Sequence, residues 1–150
     1  LATGLRGATW GASDVPIVID CCPILGVLSL NALFACDFVL IPISTDFLSL
    51  NGAHQVEKTL KALELVLKRR LPRRYLLTRF DRRRKMTRDI LSQAVAAFGN
   101  ELCSTVITEN VSVAESPSVH KDIFQHAPAS RGASDYQALY EELLSSGLLH

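Results

Sequence analysis

Residues 17–44 read IVIDCCPILGVLSLNALFACDFVLIPIS, and this stretch decides the fold. It opens inside a short apolar run that ends in a carboxylate, Val15-Pro16-Ile17-Val18-Ile19-Asp20. The run does not alternate, so it predicts a strand buried on both faces. Phe38-Val39-Leu40-Ile41 is a second such run, stopped by Pro42. Between them, Leu25 to Ala35 is compatible with a helix carrying Leu28, Leu30 and Leu33. Two parallel strands need a crossover, and strand, helix, strand supplies one.

The same alternation continues outward. Gly52 to Arg70 is the clearest helix, with Val56, Leu60, Leu63 and Leu67 recurring at spacings of three and four. Tyr75 to Thr78 predicts a third strand and Cys103 to Ile107 a fourth. Met86 to Phe98 predicts a helix stopped by Gly99, and Ser134 to Ser145 a closing helix. The expected class is α/β, a parallel sheet with helices on both faces. Residues 1–150 are expected to form a single domain, with Ala127 to Gly132 as a loop within it. The absence of an initial Met points to a fragment or a processed form.

Composition narrows the function classes. Hydrophobic residues make up 48% and charged residues 21%, a globular balance. No apolar run approaches the roughly 18 residues of a spanning helix, and no secretory pattern opens the chain. The four cysteines Cys21, Cys22, Cys36 and Cys103 form no CxxC pair and read as buried reduced thiols. His54, His120, His126 and His150 are scattered and read as surface or structural; no G-x-S-x-G elbow supports a hydrolase triad. Net charge is only +1, yet Lys58 to Arg88 holds thirteen basic and two acidic residues, a net +11 against −10 elsewhere. Such asymmetry bears on partners.

Ligands of open α/β sheets bind beyond the carboxyl ends of the strands. Asp20 ends the first predicted strand. It reads either as a Walker B-like carboxylate acting on magnesium through water, or as a cap of the next helix. The other loops in this position are Pro42 to Leu50, Thr78-Arg79-Phe80-Asp81 and Thr108-Glu109-Asn110.

Taken in order, these strings resemble the ParA family of chromosome and plasmid partitioning ATPases, within the ParA/MinD superfamily of deviant Walker-type enzymes. Residues 17–44 are similar to the family's strand, switch and next strand: an Asp at the strand end, a Pro-containing turn and Gly, Asn-Ala-Leu in the helix, then Ile-Pro. Residues 105–139, TVITENVSVAESPSVHKDIFQHAPASRGASDYQAL, are similar to its tail, with Asn-Val, Ala-Glu-x-Pro-Ser and Ser-x-Gly-Ala-x-x-Tyr. The resemblance implies a P-loop NTPase-like fold, incomplete at its N-terminus, and an ATPase that dimerises around ATP and magnesium. It implies that Asp20 is the Walker B-like residue, and that Cys21, Cys22, Pro23 and Gly26 form the switch sensing the γ-phosphate. Cys22 stands where a first proline is usual. It places Thr78, Phe80, Asp81, Thr108 and Asn110 on the nucleotide-base side, with Thr108 where arginine or proline is commoner.

The family's phosphate loop has no counterpart here. Gly4, Gly7 and Gly11 come nearest, but no Gly-Lys pair occurs and Lys58 is the first lysine. The parent is therefore expected to be the ATPase, while this chain alone is expected to be inactive and to hold no nucleotide tightly.

Basic residues ending the Gly52 to Arg70 helix would suit its dipole, but that leaves Arg79, Arg82, Arg83, Arg84, Lys85 and Arg88 unexplained. Their density is the footprint of phosphate-backbone contact. The resemblance implies non-specific DNA as partner, with a second copy and a ParB-like adaptor, in a cytoplasmic, nucleoid-associated protein. An acidic protein or a membrane surface would compete. MinD relatives use a basic amphipathic C-terminal helix, whereas Tyr140 to Leu149 has no basic residue, which argues against the membrane. The alternative is a nucleotide-free module binding DNA or protein.

Overall fold

A computed structural model describes residues 1–7, 16–22 and 26–148. A first helix, α1, spans Ala2–Gly7, and α2 spans Val27–Ala35. Then β1 (Val39–Ser44), α3 (Phe47–Leu67), β2 (Arg73–Phe80), α4 (Lys85–Phe98) and β3 (Leu102–Thr108) alternate. The chain closes with short α5 (Val111–Glu115) and α6 (Ile123–His126), then α7 (Arg131–Ser145). The strands form one parallel sheet in the order β1-β2-β3. The expected α/β class therefore stands.

Helices cover both faces. One face gathers Leu33 of α2, Leu50, Leu60 and Leu63 of α3, and Ile90, Ala94 and Phe98 of α4 over Ile41, Ile43, Tyr75 and Leu77. The other packs Leu139 and Leu143 of α7 on Leu76, Cys103 and Ile107. The strand residues divide between the faces by the period of two. Tyr75 stacks on Phe98 with ring centroids 3.7 Å apart, a large apolar contact at the sheet centre.

The β2–β3 register shifts twice, between Tyr75 and Leu77 and again between Leu77 and Phe80, and the second shift breaks that period at the carboxyl end of β2. Leu77 pairs with Val106 and Phe80 with Thr108, so three steps on β2 match two on β3. Arg79 absorbs the extra residue with φ +53°, and the Thr45 hydroxyl donates to its carbonyl at 2.8 Å. Phe80 is thereby turned into the core beside Tyr75 and Leu77, while Arg79 turns to solvent.

Several boundaries differ from expectation. Residues 16–20 are irregular and exposed instead of forming a buried strand; Val18 is 88% exposed. A strand buried on both faces needs ladder partners, and the described sheet pairs this segment with none. Pro42 does not stop β1 but sits exposed within it. Among the described residues β1 has only β2 as neighbour, and an edge strand tolerates a missing N–H. Much of the Pro42 to Leu50 loop is therefore strand and helix. Asp46 caps α3 by accepting the Ser49 N–H at 2.8 Å, which starts that helix five residues before Gly52.

The same helix stops at Leu67, short of Arg70, because Lys68 adopts φ +53° and the Glu64 carboxylate takes the Leu71 N–H at 2.9 Å. No basic residue lies within its last turn; Lys68 is its C-cap, and Arg69 and Arg70 follow outside the helix. α7 begins at Arg131, inside the expected loop, because Ser130 caps it through the Ala133 N–H. Of the thiols, Cys103 is buried and Cys36 half-buried, but Cys21 and Cys22 are exposed with the irregular segment that carries them.

Candidate functional site

The carboxyl ends of β2 and β3 lie side by side and carry most of the predicted residues. Thr78 is half-buried and pairs with Ser44 across the sheet. Phe80 is 5% exposed, its ring inside the core. Asp81 accepts the backbone N–H of Arg83 at 3.0 Å and its Nε at 3.1 Å. Those hydrogen bonds, with the charges of Arg83 and Arg84, hold the Asp81 carboxyl below the usual range. Thr108 donates its N–H to Asp135 of α7 at 2.8 Å. Asn110 caps α5 through the Ser112 N–H at 2.8 Å.

The tail motif explains how this loop is held. Gly132, in the first turn of α7, passes so close to α5 that a Cβ there would lie 2.4 Å from Val113 Cγ2. Gly132 and Asp135 thus fix the height of residues 108–110 against α7. Neither was expected as a site residue; their signal is the Ser-x-Gly-Ala-x-x-Tyr string, with the Ser as helix cap.

Asp20 makes no hydrogen bond or ion pair with a described residue of these loops. Asp20, Cys21 and Cys22 lie on the exposed irregular segment. Gly26 is the N-cap of α2, so Asp20 does not cap that helix. Pro23 lies outside the described residues. No three carboxylate, imidazole or thiol groups gather around a common point among the described residues. With no Gly-Lys pair and a lone exposed carboxylate, the residues present do not fit a magnesium-bound triphosphate, and no hydrolytic step is derived for them.

The basic block is split by β2. Lys68, Arg69, Arg70, Arg73 and Arg74 gather near its start, while Arg79, Arg82, Arg83, Arg84, Lys85 and Arg88 lie at its end and on α4. Four strand residues, Tyr75 to Thr78, lie between Arg74 and Arg79 and separate the groups by roughly 17 Å. The first group is partly structural. Arg73 is buried between Glu57 at 3.3 Å, Glu64 at 2.6 Å and Glu101 at 3.7 Å, and Arg70 also meets Glu101.

The second group is exposed and only half paired. Arg79 meets Glu109 at 3.2 Å, Arg83 meets Asp81 at 3.1 Å, and Arg84 meets Asp81 at 3.5 Å and Glu109 at 3.4 Å. Arg82, Lys85 and Arg88 make no ion pair with a described residue. The first turn of α4 holds no acid, so cations crowd the positive end of a helix. That arrangement is unfavourable until an anion relieves it. Glu109 was not expected as a site residue; its opposite number, Arg79, lies thirty positions away.

Comparison with known proteins places the chain among relatives of one kind. Residues 14–72 match a family described as AAA domain. The chain is 36% identical over 144 residues to the chromosome-partitioning ATPase Soj of Thermus thermophilus, covering 95% of this chain and 58% of that protein. It is 36% identical over 132 residues to the sporulation initiation inhibitor protein Soj of Bacillus subtilis (87% and 52%). It is 33% identical over 130 residues to the chromosome partitioning protein ParA of Caulobacter vibrioides (86% and 49%). The chain belongs to the ParA family. It spans about half the length of the curated ParA-family relatives it matches. No described helix is long and apolar enough to cross a membrane.

Proposed function

We propose that this chain serves chromosome or plasmid partitioning as part of a ParA-type ATPase, and that its own share is a non-specific DNA surface beside the nucleotide-base loops. The observation that carries the DNA reading is the trio Arg82, Lys85 and Arg88, which makes no ion pair with a described residue and lies where the first turn of α4 holds no acid; Arg88 also donates to the Arg82 carbonyl at 3.1 Å. Cations placed there gain from phosphate both by ion pairing and by relief of the helix end. ATP, magnesium, ATP-dependent dimerisation and stimulation by a ParB-like adaptor are assigned to the full-length parent, acting in the cytoplasm at the nucleoid. Asp20 is the residue assigned to its magnesium, residues 21–26 to its switch, and Thr78, Phe80, Asp81, Thr108 and Asn110 to the base side. In that assignment Phe80 acts as a core post, not as a stacking surface.

Binding of a duplex of arbitrary sequence, followed by fluorescence anisotropy against salt, tests the DNA surface. Changing Arg82, Lys85 and Arg88 to Ala should weaken binding for every sequence alike. The slope of log affinity against log salt should become shallower by about 0.9 per lost contact. No binding by the wild-type chain at low salt, or a slope indifferent to the triple change, would end the proposal.

A nucleotide-free module is the second reading, favoured by the absence of any Gly-Lys pair in these 150 residues. It expects calorimetric titration of this chain with Mg-ATP to show no heat and DNA binding to ignore ATP.

A further inference from the structure

Five side chains of alternating charge run across the ends of β2 and β3: Arg79, Glu109, Arg84, Asp81 and Arg83. Glu109 is the link that joins the two strands. Its Oε1 meets Arg79 Nη2 at 3.2 Å and its Oε2 meets Arg84 Nη2 at 3.4 Å. Both ends of this clasp rest on fixed backbone. The Glu109 N–H donates to the Phe80 carbonyl at 3.2 Å, while Thr108 and Asn110 on either side are held by Asp135 and by the α5 cap. Arg79 is held by its bulge and by the Thr45 hydroxyl.

We infer that Glu109 is an internal competitor for the DNA phosphates, masking Arg79 and Arg84 and so setting how many cations the surface offers. The inference rests on the DNA reading above and gives it a regulator. Three cations, Arg82, Lys85 and Arg88, are offered outright. Arg79 is offered only when Glu109 lets go, and Arg84, which Asp81 also meets at 3.5 Å, is then freed of one of its two acids. Arg79 and Arg84 are 71% and 58% exposed along their side chains, so phosphate can reach them without repacking the core. The exchange costs little, because a solvent-exposed ion pair is weak and one carboxylate is replaced by another anion. Glu109 sits between Thr108 and Asn110, so any ligand that shifts this loop moves the competitor with it. The DNA surface and the base-side loop would then be coupled through one residue.

The test is a double-mutant cycle on duplex affinity and salt slope, using the whole chain. Glu109→Gln should tighten binding roughly three- to tenfold and steepen the slope by about one to two, the share of one or two recruited contacts. Glu141→Gln removes the same charge from α7, where Glu141 accepts from Gln137 at 2.9 Å, and should leave the slope unchanged. Arg79→Ala should change little in the wild-type background and should cancel much of the gain in the Glu109→Gln background. The inference is overturned if wild type binds, the Arg82/Lys85/Arg88 triple change abolishes that binding, and Glu109→Gln behaves like Glu141→Gln. If neither wild type nor Glu109→Gln binds, the DNA reading falls and takes the inference with it. Equal thermal melting of the variants verifies that each is folded.

Discussion

Glu142 on α7 accepts the backbone N–H of Thr105 at 2.8 Å, and its second oxygen accepts that of Ser104 at the same distance. Asp135, seven residues earlier on the same helix face, takes the N–H of Thr108 at 2.8 Å. Carboxylates on α7 thus satisfy three backbone amides of β3.

Replacing Glu142 should therefore cost more than an average surface change. Glu142→Ala leaves two amides without their charged acceptor and should lower stability by about 1–3 kcal/mol. Glu142→Gln keeps one acceptor oxygen and should cost less. Urea midpoints measure both; an Ala variant as stable as wild type would show that water satisfies these amides equally well.

Stability should also depend on pH through the same group. Burial acts to raise the Glu142 pKa, but the hydrogen bonds from Thr105 and Ser104 outweigh it and the carboxyl sits below its usual range. For Glu57, burial is likewise outweighed by the Tyr75 hydroxyl, Lys61 and Arg73. A depressed carboxyl stabilises the fold above its unfolded value, near 4.3, and loses that contribution as pH falls through its folded value. Urea midpoints should hold from neutral pH to about 5 and drop below it. The drop should be shallower in Glu142→Gln; parallel curves would acquit this residue.

Arg73 should be the least replaceable of the basic residues. It is 2% exposed along its side chain among Glu57, Glu64 and Glu101. Its Nε and Nη1 meet no acceptor at hydrogen-bonding angles, so attraction to the three carboxylates holds them. Arg73→Met would leave Glu64 without its cation and Glu57 and Glu101 with only Lys61 and Arg70, at about 3–5 kcal/mol. Arg82→Met, on the exposed patch, should stay within about 0.5 kcal/mol of wild type. Thermal unfolding of the pair tests the contrast.

Gly132→Ala should strain the junction of α7 with α5. The added Cβ falls 2.4 Å from Val113 Cγ2, which must move. A loss of about 1–3 kcal/mol is expected, and Val113→Ala in the same chain should recover most of it. Additive losses in that cycle would mean that the two residues do not meet in solution.

Alkylation should separate the thiols. Cys21 and Cys22 are exposed and should react in the native protein. Cys103 is 4% exposed, and burial together with Glu142 pushes its thiol up to about 11, so it should react only on unfolding. Mass spectrometry after timed labelling reads this directly; early modification of Cys103 would contradict the packing of α7 on β3.

What could be read from the chain, and what could not, follows the range of the forces involved. Strands β1 to β3 and helices α3, α4 and α7 were legible because burial imposes a period within each segment, visible at Leu60 and Leu63 or at Tyr75 and Leu77. Their ends were less legible. Asp46 was read as part of a loop, although it is a helix cap. The left-handed turn at Lys68 depends on a carboxylate seven residues from the amide it caps, Glu64 to Leu71. Residues 16–20 look like a strand by composition, but a strand exists only where a neighbour completes its hydrogen bonds.

The sequence by itself determined the α/β class, the helical and strand periods and the ParA resemblance, because these rest on local pattern and on the order of short motifs. Only the tertiary structure decided which charges are free. Arg73 and Arg82 look alike in the chain, yet one is enclosed by Glu57, Glu64 and Glu101 and the other stands in solvent. Arg79 and Glu109 are thirty positions apart in sequence and 3.2 Å apart in space. Exposed charges are screened beyond roughly 10 Å, so the side-by-side ends of β2 and β3, not the tally of charges, set what the surface can offer a phosphate.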